Sequence, residues 1–220
     1  MFKAVLFDMD GVMLDTELVQ SLAFEMVLAE YGITNPKKNK HGTVHVSGAT
    51  TPETWEILKK EYGLEADTEE LTAKKRAAVM KALDRDLEAL PGLHTLLADL
   101  KRHDIRIAVA SSAQRERLVF VLDRLGITEH FDATVSGNDV KHGKPAPDPY
   151  LLAAKQLSVE PSECVVIEDA YVGIQSAKAA GTKAVAVPHE FTKRMDFSSA
   201  DLVVDSLNEL SYDKLASLFD

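Results

Sequence analysis

The feature that most constrains the fold of this 220-residue chain is a set of short, largely apolar runs, most of which end at or just before polar residues. These runs occupy residues 3–7, 105–110, 133–136, 164–167, 184–187 and 201–204. Short runs that are apolar throughout are typical of strands buried on both faces of a parallel sheet. We therefore expect a sheet that is covered on both sides.

Amphipathic helical patterns lie between several of these predicted strands. Apolar residues recur at helical spacing between 93 and 100, and similar segments cover 117–125 and 171–180. Gly126 and Gly181 follow the last two segments, and glycine commonly terminates helices. Strands that alternate with helices predict an α/β fold, with a Rossmann-like, mainly parallel sheet flanked by helices.

The stretch between the first two predicted strands is too long for one crossover helix and has a mostly helical pattern. One face of a first helix carries Leu18, Leu22, Met26 and Ala29. A second helix is expected to begin with Thr51 as its N-cap and Pro52 at its first helical position. A third helix is expected over 68–86. This stretch therefore predicts an inserted, all-helical domain.

The chain length agrees with that organisation. At about 150 residues per domain, 220 residues suit one domain or one core with a smaller insertion. We predict a core domain formed by residues 1–14 and 87–220, and an inserted helical domain formed by residues 15–86.

Composition excludes several classes of protein. The 25 basic and 35 acidic residues give a net charge of −10, which disfavours binding to nucleic acid, because phosphate contacts need clustered Lys and Arg. No apolar run approaches the roughly 18 residues of a membrane helix, so no membrane association is expected. Asp8 and Asp10 interrupt any signal-peptide core. The single Cys164 permits no internal disulfide and suits a reducing, cytoplasmic location.

Polar side chains follow four of the predicted strands. They are Asp8 and Asp10 after the first, Ser111 and Ser112 after the second, Lys144 in the loop after the third, and Glu168 and Asp169 after the fourth. Ligands bind beyond the carboxyl ends of parallel strands, so we expect these groups in one crevice. Clustered carboxylates repel each other unless a cation joins them, and Mg²⁺ is the natural candidate.

Such a crevice suits phosphoryl transfer. The reaction needs a nucleophile in line with the leaving group and positive charge beside the phosphoryl oxygens. One carboxylate can act as the nucleophile and form an aspartyl-phosphate. A second carboxylate, two residues later, can protonate the leaving alcohol and then activate water.

The order of these elements resembles the haloacid dehalogenase (HAD) superfamily over essentially the whole chain. The four motifs of that superfamily are matched by residues 7–16 (FDMDGVMLDT), 109–111 (VAS), 143–148 (GKPAPD) and 166–174 (VIEDAYVGI). The helical insert resembles the cap of the β-phosphoglucomutase-like branch, which also contains phosphatases. A lone D-x-D is a weak signal, whereas four motifs in order at strand ends are specific.

The resemblance implies a role for each catalytic candidate. Asp8 would be the nucleophile and Asp10 the general acid and base. Ser111 would donate a hydrogen bond to the transferring phosphoryl group, and Lys144 would pair with that group and with Asp8. Asp10 also argues against dehalogenation, because the true dehalogenases of the superfamily lack this second aspartate.

The resemblance also implies a metal site for Mg²⁺. Its ligands would be the side chain of Asp8, the backbone carbonyl of Asp10, and the acidic pair Glu168 and Asp169. His41 and His45 offer no third ligand, so a separate histidine metal site is not favoured.

Substrate-binding candidates are less specific. They are Gly11, Gln20, Gly48, Ser112 and Arg115. Ser112 is also expected to be the N-cap of the following helix. Family mutases carry a cap arginine after a Val-Ser pair, where this chain has Gly48, and a histidine where it has Gln20. Both departures weaken a mutase interpretation, although Arg115 could hold a distal phosphate.

The leading hypothesis is a Mg²⁺-dependent phosphatase that acts on a small phosphorylated metabolite, a sugar phosphate by preference, and that is a monomer. The alternatives are a β-phosphoglucomutase, a phosphonate hydrolase and an inactive HAD-like module that binds a partner. A phosphonate hydrolase would need a cap lysine, and nothing singles out Lys37, Lys38 or Lys40. The inactive module is disfavoured because the catalytic set is complete.

Overall fold

The computed structural model of this protein describes residues 2–39, 42–44, 50–85 and 87–220. Contacts divide the chain into two compact units. The first, called the core unit below, comprises Met1–Asp15 and Glu88–Asp220. The second, called the helical unit, comprises Thr16–Leu87. That the helical unit acts as a cap stays a prediction.

The core unit is built on a six-stranded sheet. In chain order its strands are β1 (Ala4–Phe7), β2 (Arg106–Ala110), β3 (Ala133–Val135), β4 (Cys164–Glu168), β5 (Lys183–Ala186) and β6 (Leu202–Val203). Their order in the sheet is β3-β2-β1-β4-β5-β6, and every registered pair is parallel. The predicted α/β fold with a mainly parallel sheet is confirmed.

The central strands are apolar because helices cover both faces of the sheet. All four residues of β1 and all five of β4 are buried. The core helices are α4 (Leu93–Arg102), α5 (Arg115–Arg124), α6 (Asp148–Gln156), α7 (Tyr171–Ala179) and α8 (Tyr212–Ala216). Helix α4 buries the four leucines whose spacing predicted it. Burial of such side chains contributes about 1.5–3 kcal/mol each to folding.

The start of α5 differs from the expectation. Its N-cap is Gln114, without a side-chain capping bond, and Ser112 is exposed two residues earlier. The hydroxyl of Ser111 accepts the backbone N–H of Ala113 at 3.0 Å, which forms a turn before the helix. The prediction that Ser112 caps this helix was therefore wrong, because the chain turns once more before the helix begins.

The helical unit contains α1 (Thr16–Glu30), α2 (Thr51–Tyr62) and α3 (Thr68–Arg85). The N-cap of α2 is Thr50 and not Thr51. Its side chain accepts the N–H of Glu53 at 3.4 Å, and the Glu53 carboxylate accepts the N–H of Thr50 at 2.7 Å. This reciprocal pair satisfies two backbone N–H groups at the start of the helix. It explains why Thr50, and not Thr51, is the N-cap.

The apolar face of α1 that the sequence suggested is not the buried one. Leu18 is 56% exposed, and Ala29 is exposed as well. The buried side chains of α1 are Val19, Ser21, Ala23, Phe24, Val27 and Leu28. Phe24 packs edge-on against the fully buried Trp55 at 4.7 Å between ring centroids, so α1 and α2 share an aromatic core.

Among the described residues, the structure contains no helix that is both long enough and apolar enough to cross a membrane.

Candidate active site

The site is assembled where three neighbouring strands end. Phe7 of β1 is in register with Val109 of β2 and Ile167 of β4. The residues that follow or end these strands, Asp8, Ser111 and Glu168, consequently lie along one edge of the sheet. All three are buried. The parallel register therefore brings together residues that are far apart in the sequence.

Lys144 connects the carboxylates of this edge. Its Nζ lies 2.5 Å from Oδ1 of Asp8 and 2.7 Å from Oε1 of Glu168, and its side chain is only 6% exposed. Burial alone would lower the pKa of Lys144, but the two carboxylates raise it well above its ordinary value. The ammonium is therefore a permanent positive charge inside the site.

Glu168 has the most complete set of partners in the site. Oε1 accepts bonds from Lys144 and from the hydroxyl of the buried Tyr150, at 2.7 and 2.8 Å. Oε2 accepts the backbone N–H groups of Asp169 and Ala170, at 3.1 and 3.2 Å. A Cβ at Gly173 would stand 1.8 Å from Oε1, so the fourth motif needs glycine there.

Burial strongly affects the proposed nucleophile. Asp8 is 7% exposed, and desolvation raises its pKa well above the ordinary value, an effect that Lys144 opposes and that Glu168 and Asp169 reinforce. Burial likewise raises the pKa of Asp169, against the opposing hydrogen bond from His189. The raised pKa values mean that additional positive charge beside these buried carboxylates would favour their ionised forms.

The residues present fit a divalent cation. Asp8, Glu168 and Asp169 each offer an oxygen, and these oxygens all lie within 4.8 Å of one another. Hard oxygen donors of this kind are what Mg²⁺ requires. Three of the four predicted ligand residues are thus brought together, while the carboxylate of the fourth, Asp10, is not in this group.

Asp10 faces a different partner. Nη2 of Arg117, on α5, donates to Oδ1 of Asp10. Burial raises the pKa of the Asp10 carboxyl, and the charge of Arg117 opposes that rise. Among the described residues, the buried Nε of Arg117 has no hydrogen-bond partner. The carboxyl is therefore held at one oxygen by a cation that the motif comparison did not include.

Two substrate candidates of the core unit have different surroundings from those expected. Arg115 is already engaged, because its guanidinium contacts Asp139 and bonds the carbonyl of Thr134 at 3.3 Å. Ser112 is exposed, and a Cβ at Gly137 would stand 2.5 Å from its carbonyl oxygen. The geometry therefore favours a structural role for Arg115, while Ser112 remains exposed.

Gly11 is constrained by the site itself. Its φ is +78°, and a Cβ there would lie 2.5 Å from Oδ2 of Asp169. In the helical unit, Gln20 accepts a hydrogen bond from the buried Lys75. Gly48, His41 and His45 lie outside the described residues.

The sequence motifs do not include three functional candidates of the site: Arg117, Tyr150 and His189. The helical repeat could have identified Arg117. Residues two positions apart in an α-helix are separated by about 200° of rotation about its axis, so Arg115 and Arg117 face opposite sides. Tyr150 belongs to a helix start that looks like ordinary packing. His189 follows a strand end, which was a usable signal.

Comparison with known proteins identifies the family of this chain. The family model described as haloacid dehalogenase-like hydrolase matches residues 5–187. Fructose-1-phosphate phosphatase YqaB of Escherichia coli is 37% identical over 84% of this chain and 96% of its own. Beta-phosphoglucomutase of Bacillus subtilis is 34% identical over 97% of this chain and 93% of its own.

Solved structures show the same fold. CbbY from Rhodobacter sphaeroides in complex with phosphate is 27% identical and has a TM-score of 0.76, with 96% of each chain covered. The matched region of the family model contains all four motif segments. The chain therefore belongs to the haloacid dehalogenase-like hydrolase family, and it is a phosphoric monoester hydrolase.

Proposed function

We propose that the protein is a Mg²⁺-dependent phosphatase that hydrolyses a small sugar phosphate through an aspartyl-phosphate on Asp8. One observation carries the proposal: the buried Asp8 carboxylate is held by Lys144 beside two further carboxylates at a strand end. This arrangement combines an oriented nucleophile with charges suited to a phosphoryl group.

In the first half-reaction, a carboxylate oxygen of Asp8 attacks phosphorus, and the bond between phosphorus and the leaving oxygen breaks. Lys144 favours the ionised form of Asp8 and orients it, and its charge stabilises the phosphoryl oxygens. The Ser111 hydroxyl accepts from a backbone N–H, so its own proton is available for a phosphoryl oxygen. Asp10 donates a proton to the leaving alcohol.

In the second half-reaction, Asp10 takes a proton from the attacking water. The bond from water oxygen to phosphorus forms as the bond from Asp8 to phosphorus breaks, which releases inorganic phosphate. The raised pKa of Asp10 helps it to hold a proton in the first step, and Arg117 favours its ionised form for the second.

Asp8, Glu168 and Asp169, whose oxygens lie close together, would hold Mg²⁺, and the resemblance adds the backbone carbonyl of Asp10. When bound, the ion would neutralise part of the negative charge of the carboxylates and of the phosphoryl group. The proximity of the three carboxylate oxygens and the raised pKa values of Asp8 and Asp169 support this assignment.

The similarity to a fructose-1-phosphate phosphatase supports a sugar phosphate as the substrate. The similarity to a beta-phosphoglucomutase supports a second candidate function, in which the phosphoryl group returns to a sugar hydroxyl. The presence of Gln20 in place of histidine weakens that second candidate. The proposal also includes a cytoplasmic location and a monomeric state. One chain has a mass of 24.1 kDa, so light scattering of the purified protein tests whether it is a monomer.

The test is phosphate release from sugar phosphates, nucleotides and phosphoglycolate, each with Mg²⁺ and with EDTA. We expect release only with Mg²⁺, and an acid-stable phosphorylated protein trapped by quenching. Asp8→Asn should abolish both, while the exposed Asp205→Asn should change neither. Retained release in Asp8→Asn would overturn the assignment.

The same assay separates the two candidate functions. Glucose 1-phosphate, with and without a bisphosphate activator, is followed for glucose 6-phosphate and for free phosphate. Faster formation of glucose 6-phosphate than of phosphate identifies a mutase, and the reverse identifies a phosphatase.

A further inference from the structure

One contact of the site is not used by the chemistry described above. His189 lies in the loop after β5, and its Nε2 stands 2.9 Å from Oδ2 of Asp169. The Asp169 side chain is 11% exposed and that of His189 is 27% exposed. The loop thus places a ring nitrogen against one oxygen of a proposed metal ligand, and the other oxygen, Oδ1, lies outside this contact.

The surroundings of His189 determine which ring nitrogen carries the proton. The backbone N–H of Phe191 donates to Nδ1 at 3.3 Å. A ring nitrogen that accepts a hydrogen bond is unprotonated, so in the neutral ring the proton is on Nε2 and is donated to Asp169. The loop backbone is fixed too, because the N–H groups of Thr192 and Lys193 donate to the His189 carbonyl at 3.0 and 2.8 Å.

Gly11 makes room for this contact. A Cβ at this position would lie 2.5 Å from Oδ2 of Asp169 and 3.0 Å from Nε2 of His189. The loop after β1 can therefore approach only without a side chain. Two separate segments, after β1 and after β5, therefore converge on one oxygen of the carboxylate that follows β4.

We propose that His189 is a positioning residue for the metal site: it holds Oδ2 of Asp169 and so directs Oδ1 to the cation. The inference rests on the proposed function, in which Asp169 is a ligand of Mg²⁺. Groups that bond to a metal ligand fix its orientation, and their loss typically costs about 10–100-fold in metal affinity or activity.

The experiment measures Mg²⁺ binding to the substrate-free protein by calorimetry, so that turnover plays no part. His189→Leu removes the donor and should raise the Mg²⁺ dissociation constant about tenfold. His189→Gln keeps an N–H donor at a similar reach and should restore most of the affinity. His103→Leu is the matched control, because His103 also faces an aspartate, Asp99, but lies at the end of α4. It should bind Mg²⁺ as the wild type does.

Two outcomes separate this inference from the proposed function. If the wild type binds no Mg²⁺, or Asp169→Asn binds it normally, the proposed metal site fails and the inference fails with it. If the wild type binds Mg²⁺, Asp169→Asn does not, and His189→Leu binds it as tightly as the wild type, only the inference is overturned. Melting temperatures in EDTA show whether each variant is folded.

A measurement on the wild type covers the case in which His189→Leu does not fold. Long-range proton–nitrogen NMR spectra of the metal-free protein distinguish the two neutral tautomers of each histidine. We expect the Nε2–H form for His189. The Nδ1–H form would overturn the inference, because that ring could not donate to Asp169.

Discussion

The core unit and the helical unit each contain a buried lysine side chain, and the two lysines contact different kinds of group. In the core unit, Lys144 lies between the carboxylates of Asp8 and Glu168, both attached to strands whose register is fixed. In the helical unit, the contacts of buried Lys75 include the amide oxygen of Gln20 and, at 5.0 Å, the ring of Phe24. The first arrangement is built from charges, and these contacts of the second are with neutral groups.

This difference bears on how each unit can change. A substitution in the core cluster leaves a buried charge without its partner, which costs about 3–5 kcal/mol. Removing a neutral partner from a charged donor costs about 1.5–3 kcal/mol. Loss of a charged partner of Lys144 should therefore cost more stability than loss of Gln20 as a partner of Lys75, and we expect the chemistry to depend on the charged cluster of the core unit.

The largest effect is expected from Lys144→Met. Phosphate release should fall about 10³-fold or more, because Asp8 loses the group that orients it and the phosphoryl oxygens lose a fixed charge. The kcat for phosphate release measures this. The control is Lys178→Met, which breaks a 2.6 Å ion pair with Asp201 in which Lys178 is 36% exposed. Unchanged kcat in Lys144→Met would contradict the site.

The pH dependence of the stability of Lys144→Met tests how Lys144 affects the pKa of Asp8. Burial raises the pKa of Asp8 and Lys144 opposes the rise, so loss of Lys144 raises that pKa further. An acid whose pKa rises on folding destabilises the protein only above its unfolded-state pKa. The stability that Lys144→Met loses should therefore increase as the pH rises. We expect the melting temperature of Lys144→Met to lie about 10 °C below that of the wild type at pH 8. The difference should be smaller at pH 5. A deficit independent of pH would contradict this origin.

Asp10→Asn should separate the two half-reactions. With p-nitrophenyl phosphate, whose leaving group needs no proton, we expect a burst of one equivalent of p-nitrophenol. Turnover should then be slowed by at least about 10²-fold, because no base activates water. Stopped-flow absorbance measures both phases. Full steady-state turnover without a burst would assign the base to another residue.

The core site was largely predictable because one physical rule generates it. Asp8, Ser111 and Glu168 each follow or end a short buried strand, and parallel strands that are neighbours in the sheet end at the same edge. The spacing of apolar runs was sufficient to find them. That they converge is a consequence of register, which needs no knowledge of side-chain packing.

Other positions depend on information that periodicity does not contain. The choice between Thr50 and Thr51 as N-cap depends on which threonine reaches Glu53. The contact between His189 and Asp169 depends on where a loop returns in three dimensions. For such residues the sequence supplies the chemical group, while tertiary structure supplies its partner.

Arg117→Met tests whether the charged cluster of the core unit also includes Asp10, the proposed general acid and base. The contact of Arg117 with Asp10 should contribute about 1.4 kcal/mol to the proper orientation of that carboxyl, so kcat should fall about tenfold. Arg117→Lys should recover part of the rate. Arg102→Met is the control, since Arg102 also pairs with an aspartate but is 74% exposed. Equal kcat values for the two Met variants would remove Arg117 from the site.

The smallest expected effect concerns the helical unit and tests the other half of the comparison. If Gln20 contributes a neutral hydrogen bond to substrate selection, Gln20→Ala should raise KM for a sugar phosphate about threefold. It should leave kcat and the Mg²⁺ dissociation constant unchanged, because the charged cluster belongs to the core unit. The control is Gln156→Ala, an exposed glutamine of α6. A lower kcat with an unchanged KM would mean that the helical unit takes part in the chemistry itself, and the proposed division between the two units would then fail.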